Sequence, residues 1–353
     1  MKNNANQDFL LFDVGLRLRS DQSDIIDFIK CYTDISKIDI EIPDPKIHVH
    51  LYFNKQIPLD NTYHKISRNL WLRDSHIIIS KIDNFPILGL KVWIENDKLF
   101  IDAFLQEKKI NPLKSLLNLF RDYNSNQIPK LLALVYYLLY FPYMYYFERF
   151  RDIYLLHAGA IEYKKKGIIL SGLGGVGKST LALGALSING CNFIADNLIF
   201  HDTKKIYPLP EPIALNPNST IIQTQINKFL ISKDIKSSHD RIFYRIKSEI
   251  LSLEAVPKYL FWLQWGKENK IVPLKKERCL NHLLNINLIA NELREYYIMA
   301  AALDFIHPQS SFQKKYYDNL SHFTSNVDCY ILRIKPGDDI KTIYNETISK
   351  VII

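Results

Sequence analysis

The decapeptide SGLGGVGKST, Ser171 to Thr180, decides how the central part of the chain folds. It matches the phosphate-binding P-loop pattern G-x-x-x-x-G-K-[ST], whose fixed positions are Gly172, Gly177, Lys178 and Ser179. In such a loop consecutive backbone N–H groups wrap a chain of phosphates, and glycine permits the tight turn and close approach. A strand-like run, GIIL, precedes the decapeptide and a helix-like run, LALGAL, follows it. The sequence therefore predicts a phosphate-binding loop between a β-strand and an α-helix.

The residues of this loop have expected parts in binding ATP or another nucleoside triphosphate. We expect Lys178 to reach the β and γ phosphate oxygens and Ser179 to bind Mg²⁺. The positive end of the following helix would face the phosphates. A glycine-rich turn without a ligand is the alternative. The predicted nucleotide-binding residues are Gly172, Leu173, Gly174, Gly175, Val176, Gly177, Lys178, Ser179 and Thr180.

Composition is that of a globular protein with one large or two ordinary domains. The chain has 353 residues, of which 47% are hydrophobic and 23% charged. Its net charge of +8 is spread over many lysines, so it fits an acidic partner or a nucleotide but does not favour nucleic acid. The four cysteines form no C-x-x-C pair, and the N-terminal stretch lacks the apolar core of a signal peptide. Both observations predict a cytoplasmic location.

An apolar stretch from Leu131 to Phe147, LLALVYYLLYFPYMYYF, carries no charged residue. Its length is at the short limit for crossing a bilayer, it contains six tyrosines, and Pro142 interrupts it. We predict a buried helix that kinks or ends near Pro142. A membrane span or an interfacial anchor is the alternative.

Residues 1–126 are predicted to form an N-terminal α+β module that recognises a substrate or a partner. Its expected strands are mostly antiparallel, and a polar stretch, Asp122 to Gln127, is the predicted linker. His48 and His50 lie two apart on one strand and so face the same side; a solvated pair is favoured over a metal site. The expected elements are strands at Phe9–Arg19, Lys46–Phe53 and His76–Ile82, a hairpin at Ile87–Leu105 that turns at Glu95–Asp97, and helices at Ser23–Tyr32, Leu113–Tyr123 and Leu131–Arg151.

Residues 127–353 are predicted to form the P-loop domain, which makes the chain α/β in this part and α+β overall. Strand-like and helix-like runs continue beyond the loop to the end of the chain. The expected elements are a basic helical region at Gln223–Ser252, strands at Tyr259–Trp265 and Cys329–Lys335, and helices at Lys276–Leu284, Asn291–Phe305 and Asp338–Lys350.

Two titratable residues are predicted at strand ends that flank the loop. His157 lies 21 positions before Lys178, and Asp196 lies 18 positions after it. Phosphoryl transfer uses a base and a group that stabilises charge at such places. The alternative for Asp196 is a capping residue or a carboxylate that binds Mg²⁺ through water. The alternative for His157 is a buried core histidine.

The residues around these positions resemble the core of the HPr kinase/phosphorylase superfamily, whose fold is related to phosphoenolpyruvate carboxykinase. The resemblance rests on Leu155–Asn197, LLHAGAIEYKKKGIILSGLGGVGKSTLALGALSINGCNFIADN, and on YPLPEPIAL at Tyr207–Leu215. It covers about residues 127 to 265. Motifs of other P-loop proteins, the N-K-x-D of GTPases and the L-S-G-G-Q of transporter ATPases, are absent.

The resemblance implies a kinase that uses ATP and Mg²⁺. It places His157 at the family's histidine before the loop and Asp196 at the aspartate that takes the proton from the acceptor hydroxyl. The second aspartate of the family's Asp-Asp pair is Asn197 here, a departure that removes a charge. The catalytic residues implied are Asp196, His157 and Lys178, and Ser179 is the implied metal ligand.

The expected reaction is transfer of the γ-phosphoryl of ATP to a hydroxyl, either a serine of a protein or peptide or a small-molecule alcohol. Because Asn197 replaces the second acid, a nucleotide-binding regulator or scaffold without transfer activity is the alternative. Hydrolysis coupled to assembly is a third, less favoured reading. A membrane partner is not favoured, and a homo-oligomer stays open.

Overall fold

The structure, a computed structural model, describes residues 5–106, 128–216, 228–236, 241–308 and 312–352. The chain divides into two compact units, each built from separate segments. The sequence-based boundary between residues 126 and 127 stays a prediction. The first unit comprises Met1–Arg151, Lys233–Ile242 and Tyr296–Ser310, and the second comprises Asp152–Ser232, Phe243–Glu295 and Ser311–Ile353.

Among the described residues of the first unit, nine strands form one mixed sheet in the order β3-β1-β2-β4-β9-β8-β7-β6-β5. β2 and β9 each pair in parallel with β4, and the other neighbouring strands described in this sheet pair antiparallel. The strands are β1 (Ala5–Leu11), β2 (Val14–Ser20), β3 (Ser36–Ile38), β4 (Ile47–Phe53), β5 (His64–Lys65), β6 (Leu70–Arg73), β7 (His76–Ile79), β8 (Leu88–Glu95) and β9 (Lys98–Leu105).

Alternation of buried and partly exposed residues gives this sheet two different faces. In β4, Ile47, Val49 and Leu51 are buried, while His48 and His50 between them are partly exposed. Such a period of two is the mark of a strand with one face in the core. Helix α1, Ser23–Tyr32, has the bounds that the sequence predicts and packs its apolar side on β1 and β2.

One predicted strand of this unit is wrong. Phe9–Arg19 is not a single strand, because the chain reverses at Phe12 and Asp13 to form a hairpin of β1 and β2. Phe12 has a φ of 54°, a left-handed conformation that a continuous strand would not contain. The predicted hairpin at Ile87–Leu105 is confirmed as β8 and β9, with Asn96 and Asp97 at positive φ in its turn. The predicted helix at Leu113–Tyr123 lies outside the described residues.

The apolar segment is helical throughout, as predicted. It comprises α2, Ile128–Val135, a π-helical turn, Tyr136–Tyr140, and α3, Phe141–Phe150. Pro142 lies in the first turn of α3, directly after the π-helical turn, where its missing N–H group costs the least. Most side chains from Leu134 to Arg149 are buried. Among the described residues, no helix is both long and apolar enough to span a membrane.

In the part of the second unit that the structure describes, six strands form a sheet in the order β13-β11-β12-β19-β21-β20, and three form another in the order β10-β14-β15. The division between units passes through β17, β18 and α6. The strands are β10 (Tyr154–His157), β11 (Gly159–Tyr163), β12 (Lys166–Ser171), β13 (Cys191–Ala195), β14 (Leu198–His201), β15 (Ile206–Pro208), β16 (Ile213–Leu215), β17 (Leu230–Lys236), β18 (Ile242–Ile246), β19 (Val256–Trp265), β20 (Lys270–Pro273) and β21 (Asp328–Ile334). The helices are α4 (Lys178–Ala185), α5 (Lys276–Ile289), α6 (Asn291–Leu303), α7 (Phe312–Asn326) and α8 (Ile340–Glu346).

The P-loop strand lies inside the six-stranded sheet. β12 pairs in parallel with β19 and antiparallel with β11, and β19 pairs in parallel with β21. Buried apolar residues cover both faces of β12: Ile168 and Leu170 belong to one core cluster and Ile169 to another. Continuous apolar runs of this kind are typical of strands buried on both faces.

One expectation for this region is wrong, and one helix was not expected. The described residues of Gln223–Ser252 contain strands β17 and β18 and a short 3-10 helix at Ser248–Ile250, and no α-helix. In β18, Phe243 is buried while its neighbours Ile242 and Tyr244 are partly exposed, which is the alternation of a strand with one buried face. Helix α7 was not predicted, since only Leu320, Phe323 and Thr324 of its residues are buried. The mixed architecture nevertheless confirms the α+β class.

Candidate functional site

The loop after β12 has the backbone conformation that its glycines permit. Gly172, Gly175 and Gly177 have φ values of 143°, 77° and 104°. A Cβ atom at Gly172 would lie 2.8 Å from the carbonyl oxygen of Leu263 on β19, so this position accepts only glycine without rearrangement. Gly177 is the N-cap of α4, which begins at Lys178. The motif therefore stands between strand and helix, as the sequence predicts.

The rest of the loop faces solvent. Leu173 is 57% exposed, and no heavy atom lies within 4 Å of a Cβ built on Gly174 or Gly175. Val176 is buried against the core below, and Thr180 is exposed on α4. The loop thus has an open side that a phosphate chain can approach.

Lys178 is buried at the base of the loop. Its ammonium group donates hydrogen bonds to the carbonyl oxygens of Gly172, at 2.7 Å, and of Leu173, at 3.2 Å. Burial lowers the pKa of Lys178, and the negative charges of Asp196 and Glu292 oppose that shift. The ammonium is therefore held inside the loop and near two carboxylates.

Asp196 directly follows β13, whose end lies at the same sheet edge as the end of β12. β11 lies between these two strands and is antiparallel to both, with Gly159 opposite Leu170 and Ala160 opposite Ala195. A Cβ atom at Gly159 would lie 2.9 Å from the carbonyl oxygen of Asp196. Glycine at this position therefore lets the backbone of Asp196 lie close to β11, the neighbour of the P-loop strand.

The carboxylate of Asp196 has only part of its hydrogen-bonding capacity satisfied. Burial raises its pKa, while a hydrogen bond with the Ser179 hydroxyl and the charge of Lys178 act in the opposite direction. Its Oδ1 atom is buried and has no hydrogen-bond partner among the described residues. A buried carboxylate oxygen without a partner is costly, so a ligand that binds there is favoured.

His157 ends β10, and its partner on β14 is Leu198. The backbone holds it firmly, since its N–H donates to Oδ1 of Asn287 at 2.8 Å and its carbonyl accepts from the Ser171 hydroxyl at 3.3 Å. Burial and the charge of Lys178 lower the pKa of His157 to about 4. Because the ring is buried beside a cation, its neutral form is favoured.

Asn287 on α5 is a site residue that the sequence did not indicate. It is 1% exposed, and its amide group also donates to the carbonyl of Leu155 at 2.9 Å and to the hydroxyl of Tyr316 at 2.7 Å. These bonds fix the end of β10 and so the position of His157. Asn287 lies 130 residues from His157 in the sequence, and no motif marks it.

The oxygen groups of Ser179 and Asp196 fit a hard divalent cation. Among the described residues, no group of three or more His, Cys, Asp or Glu side chains is placed to hold a metal ion. Mg²⁺ does not need such a group, because it commonly keeps several waters and uses one or two carboxylates together with substrate phosphates. The unpartnered Oδ1 of Asp196 agrees with this donor set.

Comparisons with known proteins do not identify the family of this chain. No protein-family model and no curated protein matches the sequence. Among solved structures, the chain is similar to the HPr(Ser) kinase/phosphatase from Coxiella burnetii, with 11% identity and a TM-score of 0.21. That match covers 34% of this chain and 77% of the other. A similarity at this level carries no argument, so the class of the protein rests on its own features: an α+β fold with a P-loop between β12 and α4.

Proposed function

We propose that this chain is an ATP-dependent phosphotransferase of the HPr-kinase-like type, which transfers the γ-phosphoryl group to a hydroxyl of a protein, a peptide or a small alcohol. The observation that carries the proposal is the placement of Asp196 and His157 around the base of the loop: Asp196 follows β13, whose end lies beside the end of β12, and the His157 carbonyl accepts a hydrogen bond from Ser171 at the end of β12. The charge of Lys178 acts on both side chains. A site that only binds a nucleotide with Mg²⁺ would use a carboxylate beside the loop but would not need the buried histidine as well.

Lys178 neutralises phosphate charge in this proposal. When a nucleotide binds, its ammonium exchanges the carbonyls of Gly172 and Leu173 for oxygens of the β and γ phosphates. The loop amides and the N-terminus of α4 bind the same phosphates. These groups orient the transferred phosphoryl and stabilise its charge, which is most of what catalysis of this reaction requires.

Asp196 accepts the proton of the acceptor hydroxyl. Burial raises its pKa, and a carboxylate with a raised pKa is a better base near neutral pH. Oδ1, which has no partner among the described residues, is the atom available to the hydroxyl, while the nearby Ser179 hydroxyl opposes the rise in the pKa of the carboxyl. His157 is neutral and donates a hydrogen bond to the phosphoryl group or to Asp196 without adding charge.

Ser179 and Asp196 are the residues that would hold Mg²⁺. The ion, when bound with the nucleotide, supplies positive charge to the phosphate oxygens. Asp196 thus has two proposed functions, as a base and as a carboxylate near the metal, and the two can be separated by experiment.

Incubation of the purified chain with γ-labelled ATP, Mg²⁺ and a pool of cell metabolites and peptides tests the proposal. We expect label on one or a few hydroxyl acceptors, lost in the Lys178→Ala variant. Tight ATP binding without any labelled acceptor would contradict the transferase and support the second candidate.

The second candidate is a nucleotide-binding regulator that transfers nothing. Asn197, which stands where the resembled family has an acid, favours it. The Asn197→Asp variant distinguishes the two: added activity toward an acceptor that wild type does not label would indicate a site that has lost transfer. Steady phosphate release without an acceptor would instead indicate an ATPase.

A further inference from the structure

The sheet of the first unit has a partly exposed face on which aromatic rings stack across strands. His48, Phe100, Trp93 and His76 lie opposite one another on β4, β9, β8 and β7. Successive ring centroids are 4.7, 5.1 and 5.5 Å apart, with interplanar angles of 11°, 7° and 25°. We call this row, together with His50 and Tyr52 beside it on β4, the aromatic face.

The ring planes of the aromatic face are largely covered. The spacing of the stacked rings matches the distance between neighbouring strands, so the rings cover one another and direct their edges outward. Lys55 lies over the ring of Tyr52 at 4.3 Å, and Lys91 lies over that of Trp93 at 5.3 Å. The solvent-facing side of the aromatic face therefore consists of ring edges and ammonium groups.

Cations surround the aromatic face. The positive charges of Lys98, Arg17 and Arg19 add to burial in lowering the pKa of His48, and those of Lys55 and Arg19, opposed by Asp21, do the same for His50. Arg17 is already paired with Asp8 and Glu41, and Lys98 with Asp44, so Lys55, Lys91 and Arg19 are the cations on which recognition of a ligand would depend. For His76 the lowering charges are Lys91 and Arg73, opposed in part by Asp74 and Glu95. Asp102, beside Lys91, is a carboxylate within the face, and burial raises its pKa.

We propose that the aromatic face binds an acidic polypeptide segment. Carboxylates interact favourably with ammonium groups and with the positive edges of aromatic rings, and both are what this surface presents. Single-stranded nucleic acid fits less well, because bases stack on bare ring planes and these planes already have partners. The proposal goes beyond phosphoryl transfer, since every residue that carries it lies in the first unit.

A labelled random copolymer of glutamate and tyrosine is the probe, used with the full-length chain at low salt. Fluorescence anisotropy measures its affinity for wild type and for two variants, Lys55→Glu and Lys91→Gln. We expect Lys55→Glu to weaken binding roughly three- to tenfold, Lys91→Gln to weaken it less, and added salt to weaken it further. The matched control is Lys130→Glu, the same charge reversal at an exposed position on α2.

Wild-type-like binding by Lys130→Glu together with weaker binding by both face variants supports the proposal. Equal losses in all three variants would reflect net charge alone and would overturn it. Tighter binding of an oligothymidine strand than of the copolymer would also overturn it, in favour of nucleic acid. Because both face variants change side chains outside the core, circular dichroism melting curves verify that they fold. If only one of them folds, that variant is compared with Lys130→Glu by itself. Lys178→Ala is expected to bind the copolymer as wild type does.

Discussion

His201 on β14 is a fully buried histidine that the proposed reaction does not use. It is 0% exposed, its ring lies 4.4 Å from that of Phe323, and neither ring nitrogen has a hydrogen-bond partner among the described residues. We predict that His201→Leu stabilises the protein by about 1 kcal/mol, because it removes an unsatisfied polar group from an apolar site. Urea unfolding measures the change, with His322→Leu on α7 as control. A loss of stability in His201→Leu would mean that the ring has a partner.

His201 also makes the stability of the folded protein depend on pH. Burial lowers the pKa of His201 from 6.5 to about 3, so the unfolded chain binds a proton that the folded chain does not between these values. The free energy of unfolding therefore has its full value above the pKa of His201 in the unfolded chain, 6.5, and it decreases as the pH falls below that value. We expect the advantage of His201→Leu over wild type to grow by about 2 kcal/mol between about pH 7 and about pH 5. Unfolding at both pH values measures it, and a constant difference would contradict a buried neutral ring.

Asp196 gives a prediction on activity. We expect Asp196→Asn to reduce transfer by roughly 10²- to 10⁴-fold, the usual contribution of a general base, while ATP affinity stays near that of wild type. Single-turnover transfer and nucleotide titration measure the two effects. Asp318→Asn, an exposed position on α7, is the control. If Asp196→Asn instead raises the Mg²⁺ concentration needed for ATP binding and leaves transfer intact, Asp196 acts at the metal only.

Lys178 differs from the other site residues in how far the sequence alone could predict it. Its loop is a local motif, so the side chain and its strand and helix could be read from consecutive residues. Asn287 could not, because its bonds to His157 and Leu155 join parts of the chain that only folding brings together. The lowered pKa of His157 belongs to the same class of property, since it depends on burial.

At the scale of elements, the contact of α4 with α8 is close enough to require glycine. A Cβ atom at Gly184 would lie 2.3 Å from Cδ1 of Ile340, and the Tyr344 hydroxyl donates to the carbonyl of Leu181 at 3.3 Å. Alanine normally favours a helix over glycine by about 1 kcal/mol. Here we predict that Gly184→Ala destabilises the protein by roughly 1–3 kcal/mol, because it overpacks this contact.

A second substitution tests the cause of this effect. Gly184→Ala combined with Ile340→Ala is expected to lose less stability than the sum of the two single variants, since removal of all the carbons of Ile340 beyond Cβ makes room. Thermal or urea unfolding of all four proteins completes the cycle. Simple additivity would mean that the two residues do not touch.

Elements with strong periodicity could be predicted, and those whose burial is set by distant contacts could not. α1 and the hairpin of β8 and β9 follow from local patterns and turn residues. The sequence did not predict β17 and β18, because few of their described residues are buried and charged residues dominate the pattern. α7 buries a narrow stripe, so its sequence reads as polar.

At the scale of the whole molecule, the first unit cannot be cut out as an N-terminal fragment. The Arg149 guanidinium donates two hydrogen bonds of 3.1 Å to Asp304, and the Tyr296 hydroxyl donates to Glu148 at 2.5 Å. Glu148 and Tyr296 are almost fully buried. We predict that a fragment of residues 1–151 unfolds at lower denaturant concentration than the full chain, because removing a partner from a buried ionic network costs several kcal/mol.

Limited proteolysis and urea unfolding of this fragment measure the effect. A second fragment, residues 1–126, is expected to be less stable than the 1–151 fragment. It also lacks the Tyr143 hydroxyl, which donates to the carbonyl of Phe9 at 3.0 Å. Equal resistance of the 1–151 fragment and the full chain would contradict the network's contribution.

The hydrogen bonds of the Lys178 ammonium affect how a measured affinity for ATP is interpreted. Because it already bonds to the carbonyls of Gly172 and Leu173, nucleotide binding replaces two internal bonds rather than filling vacant ones. We expect Lys178→Ala to weaken ATP binding roughly tenfold or more in a calorimetric titration, with Lys314→Ala as an exposed control. An affinity equal to that of wild type would contradict the phosphate contact. The measured loss is a difference between two competing acceptors, the protein's own carbonyls and the phosphates, so it understates how strongly the ammonium attracts the nucleotide.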